Sequence, residues 1–230
     1  MIERLERLVS EREQVLGRFL EREKHNVALA CHSMAKAFDR GGTLVAFGME
    51  AAVTDAAHVA VEFMHPVIVG KRALPTVAPP NDVLSLLRSG DIAVSIAHGT
   101  EAPPVTAFRE EARRRGALTI ALTGGDRVEA DHAFAVPSGD PQVVQEVQET
   151  LYHVLWELVH VFFEHPGLLD DACITCGDVA VQARVVSVRN GNAVIEKDGL
   201  REEVAVELVA PVDVGDVLLC HAGVALERVG

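Results

Sequence analysis

Short apolar runs that alternate with helical segments constrain the fold of this chain more than any other feature. Such runs occupy residues 43–48, 91–97, 118–125 and 132–140, and helical patterns occupy 51–63, 103–115 and about 141–163. Parallel strands need long crossover connections, which are usually helices. The alternation therefore predicts an α/β architecture, in which helices flank a parallel sheet.

The N-terminal segment carries a separate amphipathic pattern. Its apolar residues recur at steps of three and four, which places them on one face of a helix. They are Ile2, Leu5, Leu8, Val9, Val15, Leu16, Phe19 and Leu20, and the pattern resumes at Val27 as far as about Phe38. Gly41 and Gly42 end the predicted helix, and its apolar stripe is suited to packing between subunits in a homo-oligomer.

The pattern changes towards the C-terminus. Short alternating runs are interrupted there by Asn-Gly at 190–191, Asp-Gly at 198–199 and Gly-Asp at 215–216. Asn-Gly and Asp-Gly are typical of tight hairpins, so the segment is predicted to form a small all-β, OB-like barrel. We place the boundary after residue 168, which gives one domain at 1–168 and a second at 169–230.

Composition excludes some classes of partner. The 34 acidic residues outnumber the 21 basic ones, and a net charge of −13 disfavours nucleic acid, whose phosphates require basic surfaces. The N-terminus is charged, and no run approaches the ~20 apolar residues of a membrane span. We expect a cytoplasmic protein that binds neither nucleic acid nor membrane, with its four cysteines reduced.

His58 and Glu62 form the first candidate site. They stand four residues apart on a predicted helix, so they share one face of it. An imidazole and a carboxylate in this arrangement bind zinc or act as an acid–base pair. The same spacing is common in plain surface pairs, so it does not decide the matter alone.

Cys173 and Cys176 form a C-x-x-C pair, for which chemistry alone leaves three interpretations open. A structural zinc needs four ligands, and Cys220 and His221 are the downstream candidates for the other two. A redox pair usually starts a helix within a βαβ unit, whereas this pair precedes a predicted barrel. The third interpretation is two small residues in a linker.

Four stretches resemble bacterial phosphoheptose isomerases of the sugar isomerase (SIS) superfamily, over roughly residues 1–165. They read GMEAAVTDAAHVAVEF (48–63), SGDIAVSIA (89–97), RRGALTIALTGGD (114–126) and VVQEVQETLYHVLWELVH (143–160). The resemblance implies an SIS-type sheet and a homo-oligomer such as a tetramer. It also implies zinc or another divalent metal bound by His58, Glu62, Gln145 and His153. In an isomerase, Glu62 and His153 would be the catalytic residues that move the proton between aldose and ketose.

In this sequence, the loop at the position where the family binds the sugar phosphate departs from the family pattern. Its serine-rich sequence is replaced by AHGTEA at 97–102, and GMEAA at 48–52 loses another serine. Glu50 and Glu101 add negative charge, which disfavours a phosphate dianion. We therefore expect the phosphosugar site to be altered or lost, with His98 as a candidate ligand contact, and we leave enzymatic activity open.

The segment from Cys173 to the end resembles the HypC/HupF family of nickel–iron hydrogenase assembly chaperones. The resemblance rests on CITCGDVAV (173–181), REEVAVELV (201–209) and VGDVLLCHAGVAL (214–226). It implies that Cys173 and His221 bind an iron–cyanide–carbonyl precursor as transient cargo, with Cys176 as an auxiliary. It also implies a hydrogenase large-subunit precursor and a scaffold maturation protein as partners.

Two functions follow from these resemblances. The first is a hydrogenase-maturation accessory, whose barrel binds or transfers the iron precursor and whose SIS domain binds a metal or a carbohydrate-like ligand. The alternative is a metal-dependent phosphosugar isomerase with an appended regulatory barrel. A zinc-stapled binding module that uses Cys173, Cys176 and His221 is a third class.

Overall fold

A computed structural model describes residues 1–66, 68, 70–79, 81–164, 169, 180–197, 199–221 and 223–229. They form two compact units: Met1–Glu23 with Lys36–Glu157, and Lys24–Ala35 with Leu158–Gly230. The domain boundary predicted after residue 168 adjoins residues outside the described ranges, so it stays a prediction.

The N-terminal segment forms one helix, α1, from Ile2 to Asp39. The stretch between its two apolar parts contains Glu21, Arg22, Glu23 and Lys24, and it stays helical because these residue types favour helix. Gly41 ends the helix with a φ of +87°, and its N–H donates to the carbonyl of Phe38. A left-handed backbone of this kind is a common C-terminal stop.

A five-stranded sheet follows α1. Its elements are β1 (Leu44–Gly48), α2 (Ala52–Met64), β2 (Thr76–Val77), α3 (Val83–Leu86), β3 (Ile92–Ile96), α4 (Pro103–Arg114), β4 (Leu118–Gly124), β5 (His132–Val136) and α5 (Pro141–Glu164). The strand order is β2-β1-β3-β4-β5, and every neighbouring pair is parallel. The predicted parallel sheet is confirmed, while β2 and α3 were not predicted because both are too short to show periodicity.

The strand order fixes where a ligand can bind. From β1 the chain passes to β2 on one side, and the later strands add on the other side. Where a parallel sheet reverses in this way, a crevice opens at the carboxyl ends of the two central strands. In this sheet those ends are Gly48 of β1 and Ile96 of β3.

Two glycines allow neighbouring backbone segments to lie close to the strand ends at this crevice. A Cβ on Gly48 would lie 2.5 Å from the carbonyl oxygen of Ala52, and a Cβ on Gly124 would lie 2.5 Å from that of His98. Neither contact is possible for a larger residue without a backbone shift. Glycine therefore sets how closely α2 and the loop after β3 approach the strand ends.

The C-terminal strands form a closed barrel, which confirms the predicted all-β domain. The strands are β6 (Val181–Arg189), β7 (Asn192–Lys197), β8 (Leu200–Ala205), β9 (Val217–His221) and β10 (Val224–Arg228). Their order is β10-β8-β7-β6-β9. Asn190 and Gly191, with φ of +49° and +86°, connect β6 to β7. Two positive φ values in a two-residue loop are typical of the type I′ turn that Asn-Gly favours.

None of the helices in the described part of the chain has both the length and the apolar character that crossing a membrane requires.

Candidate functional site

Helices α2 and α5 bring three predicted ligands together. Nε2 of His58 lies 3.2 Å from Oε1 of Glu62, one turn further along α2. Nε2 of His153, on α5, lies 3.8 Å from the same carboxylate oxygen. Within the described residues, one donor atom from each of the three lies within 4.8 Å of the others. We refer to His58, Glu62 and His153 as the donor cluster.

The chemistry of the donor cluster suits a divalent metal. Two imidazoles and one carboxylate are a common ligand set for zinc, and three protein ligands leave a fourth position for water or substrate. The side chains are partly exposed, at 36% for His58, 17% for Glu62 and 43% for His153. An ion therefore has a route to them from solvent, and bound zinc would supply a Lewis acid beside an acid–base residue.

Gln145, the fourth predicted ligand, contacts Asp55. Its Nε2 lies 3.2 Å from each carboxylate oxygen of Asp55, which is itself buried on α2. A carboxylate accepts hydrogen bonds and does not donate them, so it faces the N–H side of the amide. This contact leaves Oε1 as the acceptor atom of Gln145, which is the atom that ligates a metal.

Tyr152 and Glu149 contact the other ring nitrogen of His58. The Tyr152 hydroxyl lies 2.8 Å from Nδ1, and Oε1 of Glu149 lies 3.4 Å from the same atom. Burial, together with the charges of Glu149, Asp55 and Glu62, raises the pKa of Tyr152, so it stays protonated. When a metal occupies Nε2 of a neutral histidine, Nδ1 carries the proton and needs an acceptor. Both side chains offer one.

Sequence reasoning missed the roles of Tyr152 and Glu149. Helical spacing makes Glu149 a neighbour of His153 on α5, and in the structure its carboxylate also contacts His58 on α2. The register between two helices is set by tertiary packing, so spacing within one helix cannot reveal such a contact. The only sequence signal for Tyr152 is its position next to His153.

The structure changes the interpretation of Glu101. Its Oε2 accepts from Nη2 of Arg109 at 2.7 Å and from Oγ1 of Thr106 at 3.1 Å. Both charged side chains are buried, at 6% exposure for Glu101 and 8% for Arg109. Arg109 also donates to the carbonyl of Glu129. The charge of Glu101 is thus paired within the protein, which weakens the basis for expecting it to repel a phosphate.

The start of α4 nevertheless lacks what a phosphate needs. Helix N-termini bind phosphate through unpaired backbone N–H groups, but the first two positions of α4 are Pro103 and Pro104, which have none. The next two amides, of Val105 and Thr106, both donate to the carbonyl of Ala102 at 2.9 and 3.3 Å. These four positions therefore offer a phosphate no backbone donor.

A cavity of about 320 Å³ lies at the carboxyl ends of β1 and β3. Its lining is Met49, Glu50, Ala51, Ala52, Ile96, Ala97, His98, Gly99, Thr100, Ala102, Val105 and Pro141. His98, predicted as a ligand contact, is 9% exposed, and its Nε2 lies 3.1 Å from Oδ2 of Asp55. The two atoms are close, but their orientation does not form a hydrogen bond. Asp55 thus stands between the cavity and Gln145.

His221, the predicted iron-binding histidine, ends β9 and is 3% exposed. Its predicted partners Cys173 and Cys176 lie outside the residues that the structure describes. Cys220, which precedes His221, belongs to the hydrophobic core of the barrel. Burial and the nearby charge of Glu202 raise the pKa of Cys220 to about 12, so it remains a thiol at neutral pH. The structure therefore places the side chain of Cys220 in the packing of the barrel core.

Known proteins resemble the N-terminal part of the chain. The phosphoheptose isomerase of Thermodesulfovibrio yellowstonii is 33% identical over 159 residues, which cover 58% of this chain and 79% of that protein. The phosphoheptose isomerase of Aquifex aeolicus is 30% identical over 183 residues, or 69% of this chain and 96% of the relative. This chain belongs to the phosphoheptose isomerase family.

Solved structures agree on the fold of this part, which is the SIS fold. A phosphoheptose isomerase from Neisseria gonorrhoeae matches with a TM-score of 0.61 at 21% identity, over 69% of this chain and 98% of that one. The enzyme from Francisella tularensis matches with a TM-score of 0.59 at 19% identity, over 70% and 98%.

The C-terminal part matches a second family. The model of the HupF/HypC family matches residues 179–230, which contain the whole closed barrel. The chain is therefore a fusion of a phosphoheptose isomerase-like domain and a HupF/HypC domain.

Proposed function

We propose that this protein is an accessory of nickel–iron hydrogenase maturation. In this proposal, Cys173 and His221 bind or transfer the iron–cyanide–carbonyl precursor, with Cys176 as an auxiliary. The observation that carries it is the HupF/HypC match over a closed barrel, with His221 at the end of one strand. Thiolate and imidazole are suitable ligands for iron.

The proposed partners are a hydrogenase large-subunit precursor and a scaffold maturation protein. To test this, the full-length protein is tagged and recovered from cells that assemble the hydrogenase. We expect it to capture the large-subunit precursor, and we expect Cys173→Ala to abolish the capture. Glu227→Ala, an exposed change on β10, is the matched control. Equal capture by the Cys173→Ala variant would refute the carrier role.

We propose that the N-terminal domain binds a divalent metal and a small ligand and forms an oligomer. The donor cluster supports the metal, and the cavity beside His98 supports the ligand. Exposed apolar residues at the start of α1 support association, at 72% for Ile2, 60% for Leu5 and 44% for Val9. Light scattering of the wild type and of Leu5→Glu measures whether this stripe holds subunits together.

The alternative function is a metal-dependent phosphosugar isomerase. The donor cluster favours it, because Glu62 provides a base and His153 an acid within 3.8 Å of each other. The start of α4 argues against it, since its first positions offer a phosphate no backbone donor. We expect negligible turnover of heptose and pentose phosphates by the zinc-loaded protein. Rates typical of enzymes, ~1–10³ s⁻¹, would reverse this ranking.

The third class, a zinc-stapled module, has the weakest support. The buried thiol of Cys220 belongs to the barrel core, so Cys173, Cys176 and His221 would need a different fourth ligand. Metal analysis separates the classes. Metal lost in His58→Ala supports the donor cluster, and metal lost only in Cys173→Ala supports the zinc-stapled module.

A further inference from the structure

The strands β6, β7 and β8 carry a cavity that shares no lining residue with the sites described above. Its volume is about 410 Å³, and its lining is Val186, Ser187, Arg189, Asn192, Val194, Arg201 and Glu203. The alternate residues Ala193, Ile195 and Val204 belong to the hydrophobic core of the barrel. Successive side chains of a strand point to opposite faces, so this cavity lies on the outer face of the barrel.

The strand register arranges the cavity as a trough. Ser187, Val194 and Glu203 stand opposite one another on the three strands. Arg189 belongs to the next row of residues on one side of them, and Arg201 belongs to the next row on the other side. The short side chains of Ser187 and Val194 therefore form the floor of the trough, and two long guanidinium side chains flank it.

The charged groups of the trough differ in their partners. Nε of Arg201 donates to Oε2 of Glu196 at 2.7 Å, so a carboxylate of the barrel already pairs with this cation. Arg189 is exposed, and within the described ranges it forms neither a hydrogen bond nor an ion pair. Glu203 accepts from the amide of Asn192 at 2.8 Å, which leaves its charge in place. The trough is therefore cationic at its β6 end and anionic at its β8 end.

A carboxylate presented by another protein suits the β6 end. The guanidinium of Arg189 can bind a carboxylate through two parallel hydrogen bonds, and the hydroxyl of Ser187 can donate a third. A small free anion gains little there, because an exposed ion pair is weak in water. A protein that covers the trough excludes that water, and arginine is one of the residue types that contribute most at protein interfaces. At the β8 end, Glu203 can accept N–H groups of the same protein.

We propose that the trough is the docking surface for the hydrogenase large-subunit precursor, and that Arg189 and Ser187 bind an Asp or Glu side chain of that protein. The trough lies within residues 179–230, which match the HupF/HypC family, and this favours the partner of that family over a ligand of the isomerase-like domain. The proposal rests on the maturation role proposed above. It adds the face of the barrel that contacts the partner and the chemistry that the partner presents.

Biolayer interferometry of the full-length protein with the purified large-subunit precursor tests the proposal. We expect Arg189→Gln to weaken the binding by about 10-fold, because the charged hydrogen bonds are lost. Arg189→Lys keeps the charge but cannot form the two parallel bonds, so it should lose about 3-fold.

Arg184→Gln is the matched control, because it removes the same charge from an exposed position of the same strand. The guanidinium of Arg184 donates to the carbonyl of Gly215 and does not line the trough. Its loss should therefore stay below about 2-fold. Raising the salt concentration should weaken the binding of the wild type more than that of Arg189→Gln, since salt screens an exposed ion pair. Circular dichroism verifies that each variant is folded.

Three outcomes would overturn the proposal: wild-type affinity in Arg189→Gln, an equal loss in Arg184→Gln, or a loss of binding to the scaffold maturation protein alone. Loss of binding in Cys173→Ala with unchanged binding in Arg189→Gln would refute the docking surface and leave the carrier role standing. If the wild type does not bind the precursor, the maturation role fails and the docking surface fails with it.

Discussion

The donor cluster on α2 and α5 and the loop that leads into α4 belong to the same domain, yet they are built from different kinds of group. The donor cluster brings one donor atom each of His58, Glu62 and His153 within 4.8 Å of the others. The loop has no serine, and two prolines follow it. The first site depends on side chains of helices whose opposite faces pack in the core. The second depends on backbone N–H groups, which a single proline removes.

The two regions therefore depend on separate sets of contacts. Packing of α2 and α5 holds the donor cluster whatever sequence the α4 loop has, because Gln145, Tyr152 and their partners lie on the two helices. The buried pairing of Glu101 with Arg109 belongs to the contacts that hold the α4 loop.

The largest expected effect is on stability and concerns the α4 side of the comparison. Glu101→Ala leaves the buried guanidinium of Arg109 without its carboxylate, so we expect the free energy of unfolding to fall by about 3–5 kcal/mol. Urea denaturation measures it, with the exposed Glu110→Ala as control. A loss below about 1 kcal/mol together with a gain in phosphate affinity would restore the view that Glu101 repels the ligand.

Next comes the donor cluster itself. His58→Ala removes an imidazole from a set of three ligands, and we expect the affinity for Co²⁺ to fall by more than ~100-fold, beyond the 10–100-fold that outer contacts contribute. Visible absorption of the bound Co²⁺ follows the titration. The matched control is His65→Ala, outside the cluster. Unchanged affinity in His58→Ala would mean that the cluster is not a metal site.

A smaller effect is expected at Tyr152, which contacts the donor cluster. Tyr152→Phe deletes the hydroxyl that lies 2.8 Å from Nδ1 of His58, and we expect about a 10-fold loss of Co²⁺ affinity. Thr150→Ala, whose hydroxyl donates to the carbonyl of Glu146 one turn earlier, serves as control. In the His58→Ala background Tyr152→Phe should have no further effect, because its partner is absent. An equal loss in both backgrounds would show that Tyr152 acts through packing instead.

The smallest expected effect is a pH dependence of the stability, which we assign to His132 on β5. This residue belongs neither to the donor cluster nor to the α4 loop. Burial lowers the pKa of His132 below 6.5, with Asp131 opposing the shift, so the unfolded chain binds a proton more readily than the folded one. Stability is therefore complete above about pH 6.5 and decreases as the pH falls towards the folded pKa. Thermal unfolding at several pH values should show a shallower decrease for His132→Gln than for the wild type. The control His65→Gln should keep the wild-type slope, and equal slopes for all three proteins would contradict the assignment.

Much of the fold was predictable from sequence because it depends on local signals. Apolar runs and helical periodicity predicted β1, β3, β4, β5 and the long helices, and Asn190-Gly191 predicted a hairpin. The elements β2 and α3 were missed because two and four residues are too few to show a pattern. The donor cluster came from resemblance, since the spacing of His58 and Glu62 also fits an ordinary surface pair.

By itself the sequence determined the two architectures, a parallel sheet and a barrel. It also determined which residues are available: three donors on two helices and two prolines at the start of α4. Only the tertiary structure decided which groups meet. It turned Glu101 towards Arg109, set Asp55 between His98 and Gln145, and brought Tyr152 to Nδ1 of His58. The physical reason is that hydrogen bonds and ion pairs depend on distances of a few ångströms between separate elements. Such distances follow from how helices pack on a sheet, which periodicity along one chain does not record.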